Sequence, residues 1–177
     1  MARRQALVII AQQGYQDAEL AGTLEGLKAS GYDYSIVSKR AGPCKGKLGG
    51  EVEAKHSLSE ALQVWPGFDR VAFIGGPGAH GYAKDPEALQ LAKVFTQANK
   101  VVGAICVAPT ILAAAGVLHG KKATVFTSDS NKEDAVFLRN HGVNYMDNRD
   151  VVVDGKFITA VGPSAAKEFG AAFANAS

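Results

Sequence analysis

Cysteine is scarce in this chain: Cys44 and Cys106 are the only two in 177 residues. Two distant thiols make neither a disulfide framework nor a metal-ligand spacing, so the reactivity of each matters more than their pairing. Excess charge of one sign is missing too. Nineteen Lys and Arg stand against 17 Asp and Glu, interspersed along the chain, for a net charge of +2. With no polybasic footprint, neither nucleic acid nor an acidic membrane surface is expected as a partner. Long hydrophobic runs are absent, since no stretch approaches the roughly 18 apolar residues of a membrane span. The apolar part of "MARRQALVIIAQQG" is too short for a signal-peptide core and carries no convincing cleavage site. These absences predict a cytoplasmic protein with no membrane segment. No repeat, linker or low-complexity tract breaks the sequence, and 47% hydrophobic content over residues 1–177 suits one domain with one substantial core.

What is present is alternation. "QALVIIA" (5–11), "YSIVS" (34–38), "RVAFIG" (70–75), "VVGAI" (101–105) and "ATVFT" (123–127) are apolar or β-branched without strict alternation, the mark of strands buried on both faces. Between them lie "DAELAGTLEGLKASG" (17–31), "DPEALQLAKVFTQAN" (85–99) and "APTILAAAG" (108–116), with helical apolar spacing, and Gly31 and Gly116 are placed to end two of them. Strand, helix, strand predicts a mainly parallel sheet with helices on both faces, an α/β sandwich. Two segments depart from the rhythm. "GPCKGKLGGEVEAKHSL" (42–58) suits an edge hairpin or projecting loop, and "RDVVVDGKFITAVGP" (149–163) places Asp154-Gly155 where a tight type I′ hairpin turn is expected. A last helix follows over 164–176, with Ser164 as its cap.

Cys106 ends the strand "VVGAI" just before "APTILAAAG". In open parallel sheets ligands gather outside the carboxyl ends of strands, where the next helix presents unpaired N–H groups. A sulfur there is expected to have its pKa lowered by ~1 to 5 units through the helix dipole and backbone donors. The competing reading is a small buried core residue, because free cysteine is among the most buried residue types. Position alone leaves both open.

The motifs "GAICVAPTILAAAG", "ALVIIAQQGYQDAEL", "FIGGPGAHG" and "DGKFITAVGP" together resemble the ThiJ/PfpI (DJ-one) superfamily in order and spacing over nearly the whole chain, above all its deglycase-like branch. The resemblance implies a flavodoxin-like three-layer sandwich and a strand-to-helix nucleophile elbow. It implies Cys106 as the nucleophile and Glu19 as a carboxylic acid approaching its sulfur, with the N–H groups of Gly76 and Val107 as an oxyanion hole. It further implies cofactor-free and metal-free chemistry and a homodimer.

Each of these residues also has a plainer reading. Glu19 in the first turn of a helix often only complements the dipole, and Gly75-Gly76 can be a simple strand exit. Gly162 and Pro163 resemble the late turn lining the family pocket, and equally an ordinary strand-to-helix turn. The sequence departs from the family at two places. Val107 stands where protease-type members have histidine after the cysteine, which argues against proteolysis. Phe126 stands where the deglycase-like branch has histidine. His56, His80, His119 and His141 all fall in loop or helix-end contexts that suit solvated side chains, and His80, after the Gly-Gly turn, is the one placed to face the pocket. Cys44 suits a gap under the hairpin better than an exposed redox site. Tyr15 and Asp17 flank the loop leading to Glu19, without a motif-level match. Two functions follow from different classes: an enzyme acting on a small reactive carbonyl or a glycated protein, or an oxidative-stress sensor or redox-regulated chaperone that works through Cys106 oxidation.

Overall fold

In the computed structural model, which describes residues 3–177, the first apolar run becomes β1 (Gln5–Ile9). Met1 and Ala2, where the segment read above for a leader begins, lie outside the described residues. There follow β2 (Gln13–Tyr15), α1 (Asp17–Ala29), β3 (Asp33–Ser38), β4 (Gly42–Gly46), β5 (Glu51–Ala54), β6 (His56–Ser57), α2 (Leu58–Val64) and β7 (Arg70–Phe73). The second half contains α3 (Pro86–Gln97), β8 (Val101–Ile105), α4 (Pro109–Ala114), β9 (Lys122–Ala123), α5 (Glu133–Asn140), β10 (Asn144–Tyr145), β11 (Val151–Asp154), β12 (Phe157–Ala160) and α6 (Ala166–Asn175).

The main sheet runs β11-β12-β8-β7-β1-β3-β6, parallel except for the β11–β12 hairpin at one edge. Taken in chain order, the five inner strands lie 2-1-3-4-5, the flavodoxin-like arrangement. Residues alternate between its two faces. Leu7 and Ile9 enter the core made with α2, α3, α4 and α5, whereas Ala6 and Val8 enter the core made with α1 and α6. That is why these strands read as continuous apolar runs. The result is a three-layer α/β sandwich.

Helices α1 and α6, from opposite ends of the sequence, pack directly on each other. A Cβ added at Gly26 would overlap the carbonyl of Gly170, and one at Gly22 would fall 2.7 Å from the Ala166 carbonyl carbon. The seam exists because those side chains do not. Arg70 of β7, buried beneath it, donates from Nη1 to the carbonyls of Phe173 at 2.6 Å and Ala176 at 3.0 Å, satisfying the end of α6 with a cation.

The Gly/Lys-rich stretch forms the antiparallel β4–β5 hairpin, joined by β2 in a small separate sheet, as the sequence suggests. Several boundaries differ. Of 123–127 only Ala123 is in a strand, paired in the short β9–β10 ribbon, and the fifth parallel position belongs to β12. The N–H groups of Thr124 and Phe126 go instead to the Thr159 hydroxyl and the Cys106 carbonyl. The segment is apolar because Val125 is buried, not because it continues a ladder. The late turn is Gly155-Lys156, since Asp154 pairs with Phe157, and only Gly155 has a left-handed φ (+60°). That pattern fits a type II′ turn and not type I′. Ser164 makes no cap, as the chain passes through a 3₁₀ turn over Pro163–Ala165 before α6. Helices α2 and α5 were not expected from apolar spacing, although Ser57 and Glu60 form a capping box at the start of α2.

Candidate functional site

Cys106 directly follows β8 with φ +66°, a left-handed conformation that costs a non-glycine residue roughly 1–2 kcal/mol. The surroundings hold it there. Its N–H donates to the Ala160 carbonyl at 2.9 Å, and its own carbonyl accepts from Phe126 N–H at 2.8 Å. The chain then turns into α4, with Pro109 pre-set for the first helical position.

Glu19, in the first turn of α1, is completely buried (0%). Gln16 caps α1 by accepting the Glu19 N–H at 2.9 Å, and its own N–H donates to the Gly75 carbonyl at 2.9 Å. Gly75 N–H then donates to Glu19 Oε1 at 2.9 Å, while Oε2 has no hydrogen-bond partner among the described residues. Gly75 packs against both the acid and the thiol. A Cβ there would lie 2.6 Å from Cys106 Cβ and 2.7 Å from Glu19 Oε1. Gly76 has φ +112°, and a Cβ on it would come within 2.6 Å of the Gln16 nitrogen.

Burial raises the Glu19 carboxyl to about 7, against the lowering effects of Gly75 N–H, the Cys106 side chain and the Lys47 charge. Burial and then the Glu19 charge push the Cys106 thiol up to about 12, while the nearby backbone N–H groups of Gly76 and Val107 pull it down. This corrects the expectation of a lowered thiol. Helix α4 has only six residues and starts at Pro109, so its dipole is weak at the sulfur, whereas Cys106 is only 7% exposed and faces a carboxyl group.

A cleft of about 300 Å³ opens over the sulfur. It brings together six sequence-predicted residues: Cys106, Gly76, Val107, His80, Phe126 and Pro163. Glu19 and Gly75 lie beneath it, and Gly162 lines a neighbouring cavity that shares Phe126 and Pro163. His80 is not a free surface side chain: its Nε2 is 3.1 Å from Asp134 Oδ2, so the cleft is not without histidine. His56, His119 and His141 do not line it. Cys44 is buried in the β4–β5 hairpin, as the gap-filling reading has it. Asp17 accepts the N–H groups of Leu48 and Gly50, each at 2.8 Å, and so ties that hairpin to α1. Tyr15 is buried.

Sequence reasoning missed Gln16, Lys47, Asn131 and Asp134, which also line the cleft. Lys47 had a signal, a cation near the tip of a projecting hairpin. Asp134 lies in α5, a helix that the sequence reading lacked. Among the described residues no three His, Cys, Asp or Glu side chains are grouped to hold a metal ion, and no helix is long and apolar enough to cross a membrane.

Fold and elbow define a class: flavodoxin-like sandwiches that present one cysteine at the carboxyl edge of the sheet. Residues 4–176 match the DJ-1/PfpI family, and the chain belongs to it. An uncharacterised protein of Methanocaldococcus jannaschii is 34% identical over 171 residues, covering 96% of this chain and 80% of that protein. The protein named deglycase PfpI of Pyrococcus furiosus is 32% identical over 159 residues, covering 89% of this chain and 90% of the relative. Among solved structures, a ThiJ/PfpI domain protein from Brachyspira murdochii superposes with a TM-score of 0.88 at 30% identity, covering 96% of this chain and 94% of the other.

Proposed function

We propose that this protein is a cofactor-free enzyme in which Cys106 attacks small reactive carbonyls, or their adducts on proteins, in the manner of a glyoxalase or deglycase. The observation that carries the proposal is a cleft lined by Cys106, Gly76 and Val107, with the fully buried Glu19, raised to about 7, packed with Cys106 around the same glycine, Gly75. With a 2-oxoaldehyde, the thiol adds to the aldehyde carbon: the C–S bond forms, the C=O bond opens, and the thiol proton reaches the new oxygen by way of Glu19. The N–H groups of Gly76 and Val107 stabilise that oxygen while it is charged, at roughly 3 kcal/mol for a preorganised donor. Isomerisation and hydrolysis then release a 2-hydroxy acid and the free thiol. The name of the Pyrococcus relative supports the carbonyl class. Val107, in the place of an adjacent histidine, argues against proteolysis. The reading takes residues 1–177 as one cytoplasmic domain acting as a homodimer, on the strength of the family resemblance.

The decisive experiment is lactate formation from methylglyoxal by wild type and Cys106→Ala, with trace metal and added thiol removed. Formation by wild type alone supports the enzyme. The same N–H groups and Glu19 suit a sulfinate on Cys106, which favours a second reading as an oxidation sensor or redox-regulated chaperone. No lactate from either protein, with selective peroxide oxidation of Cys106 seen by intact mass, supports that alternative.

A further inference from the structure

We propose that His80, oriented by Asp134, carries the proton between the two substrate carbons during isomerisation. The inference rests on the Cys106 reading above and adds to it the group that reading lacks.

Glu19 is poorly placed for this task. It is fully buried behind the sulfur, and one of its oxygens is committed to Gly75 N–H. It can serve the thiol proton, but a carbon bonded to the sulfur projects the other way, into the cleft. There Phe126, Pro77 and Pro163 hold no exchangeable side-chain proton, Gln16 and Asn131 are amides, and Lys47 is a cation. The bases on the cleft side are His80 and Asp134. They come from different parts of the chain. His80 lies in the 3₁₀ segment Pro77–Lys84, directly after Gly76, which lines the cleft with Cys106, and Asp134 lies in the first turn of α5. The fold sets Nε2 of the ring 3.1 Å from Asp134 Oδ2, with the His80 side chain 52% exposed and that of Asp134 20% exposed. Donation of Nε2–H to the carboxylate assigns the tautomer and leaves the Nδ1 lone pair to act as base. The cations that line the cleft and its neighbour beside this pair are Lys47 and, on the same segment as His80, Lys84, and the titratable Glu19 and Cys106 lie on its far side.

The step balances without an outside oxidant. In the hemithioacetal, C1 bears hydrogen, hydroxyl and sulfur, and C2 is a ketone. His80 Nδ1 takes the C1 hydrogen as a proton, and the C–H electron pair becomes the C1=C2 bond of an enediol. His80 returns the proton to C2, and the hydroxyl proton passes from the C1 oxygen to the C2 oxygen. C1 is thereby oxidised to a thioester as C2 is reduced to an alcohol. Water then cleaves the C–S bond, its hydroxyl going to C1 and its proton to sulfur.

The test uses the full chain, methylglyoxal and lactate detection. His80→Ala is expected to lower kcat by about 10²- to 10⁴-fold, with KM and thermal stability little changed. Added imidazole is expected to restore turnover to that variant, because the ring it replaces is half exposed. Asp134→Asn, the change at the positioning residue, is expected to lower kcat less and to alter the pH profile, with no imidazole rescue. Undiminished turnover in His80→Ala, or a loss that imidazole does not repair, overturns this inference and leaves the Cys106 reading standing. Wild type that makes no lactate overturns both.

Discussion

The backbone amide of Phe126 donates to the carbonyl of Cys106 at 2.8 Å, so the residue whose ring borders the cleft also pins the elbow that presents the sulfur. The main-chain contact survives any change of side chain. Phe126→His therefore keeps the elbow and adds a second imidazole at the cleft wall. Because Phe126 is 40% exposed, the expected cost in stability is small, about 1 kcal/mol. We expect lactate formation from methylglyoxal to rise by about tenfold or more, with a new ionisation in its pH profile. An unchanged profile would show that an imidazole there does not reach the reacting atoms.

Glu19 ties stability to pH with a sign opposite to that of most carboxylates. Its folded value, about 7, lies above the ordinary carboxyl value of 4.5, so between those limits the folded state binds the proton more tightly. Stability is full below the lower value and falls as pH rises through the upper one, by on the order of 3 kcal/mol in all. Glu19→Gln keeps an oxygen for Gly75 N–H and removes the titration. Thermal unfolding should give similar midpoints for the two proteins near pH 4.5, with the variant increasingly the more stable towards pH 8. A constant difference across that range would mean that Glu19 does not change charge on folding.

The same substitution bears on the sulfur. The Glu19 charge is the second largest influence raising the Cys106 thiol, after burial. Its removal should lower that pKa and speed alkylation by iodoacetamide near pH 8 by roughly tenfold, about the effect of one pKa unit. Cys44, raised by its own burial, should stay slow in both proteins. Equal Cys106 rates in wild type and variant would mean that the carboxyl is already protonated and donating to sulfur.

Gly75→Ala tests the packing between acid and thiol. The new methyl group would meet Cys106 Cβ at 2.6 Å and the Ile105 carbonyl at 2.7 Å, neither of which can retreat without moving β8 or the elbow. A loss of about 1–3 kcal/mol in unfolding free energy is expected, with turnover abolished even where the protein folds. Retained turnover would show that the distance from Glu19 to the sulfur is not critical.

Buried features were legible in the sequence where a single local rule governed them. Continuous apolar runs marked β1, β7 and β8, and the position of Cys106 after one of them marked the elbow. The segment 123–127 misled because its apolar content serves the burial of Val125 while its N–H groups leave the ladder. The cleft was half visible. Glu19, Gly76 and Val107 followed from a resemblance, but Asp134 meets His80 only through tertiary packing, and no spacing in the sequence encodes that meeting. The thiol ionisation was misjudged because a dipole can be inferred from sequence, whereas the depth of a sulfur and the charge beside it cannot.

The glycine seam between α1 and α6 bears on how the chain reaches its native state during synthesis. Helix α1 leaves the ribosome more than a hundred residues before its packing partner. Until Ala166–Asn175 emerges, that face of α1 and the sheet beneath it stay open to water, and Arg70 waits for the carbonyls that it will satisfy. Contacts of such long sequence separation are slow to form. Translation that stops before Ala166 would release a polypeptide with every strand made and one face of its sheet uncovered, a substrate for chaperones and proteases more than a weakened version of the folded protein.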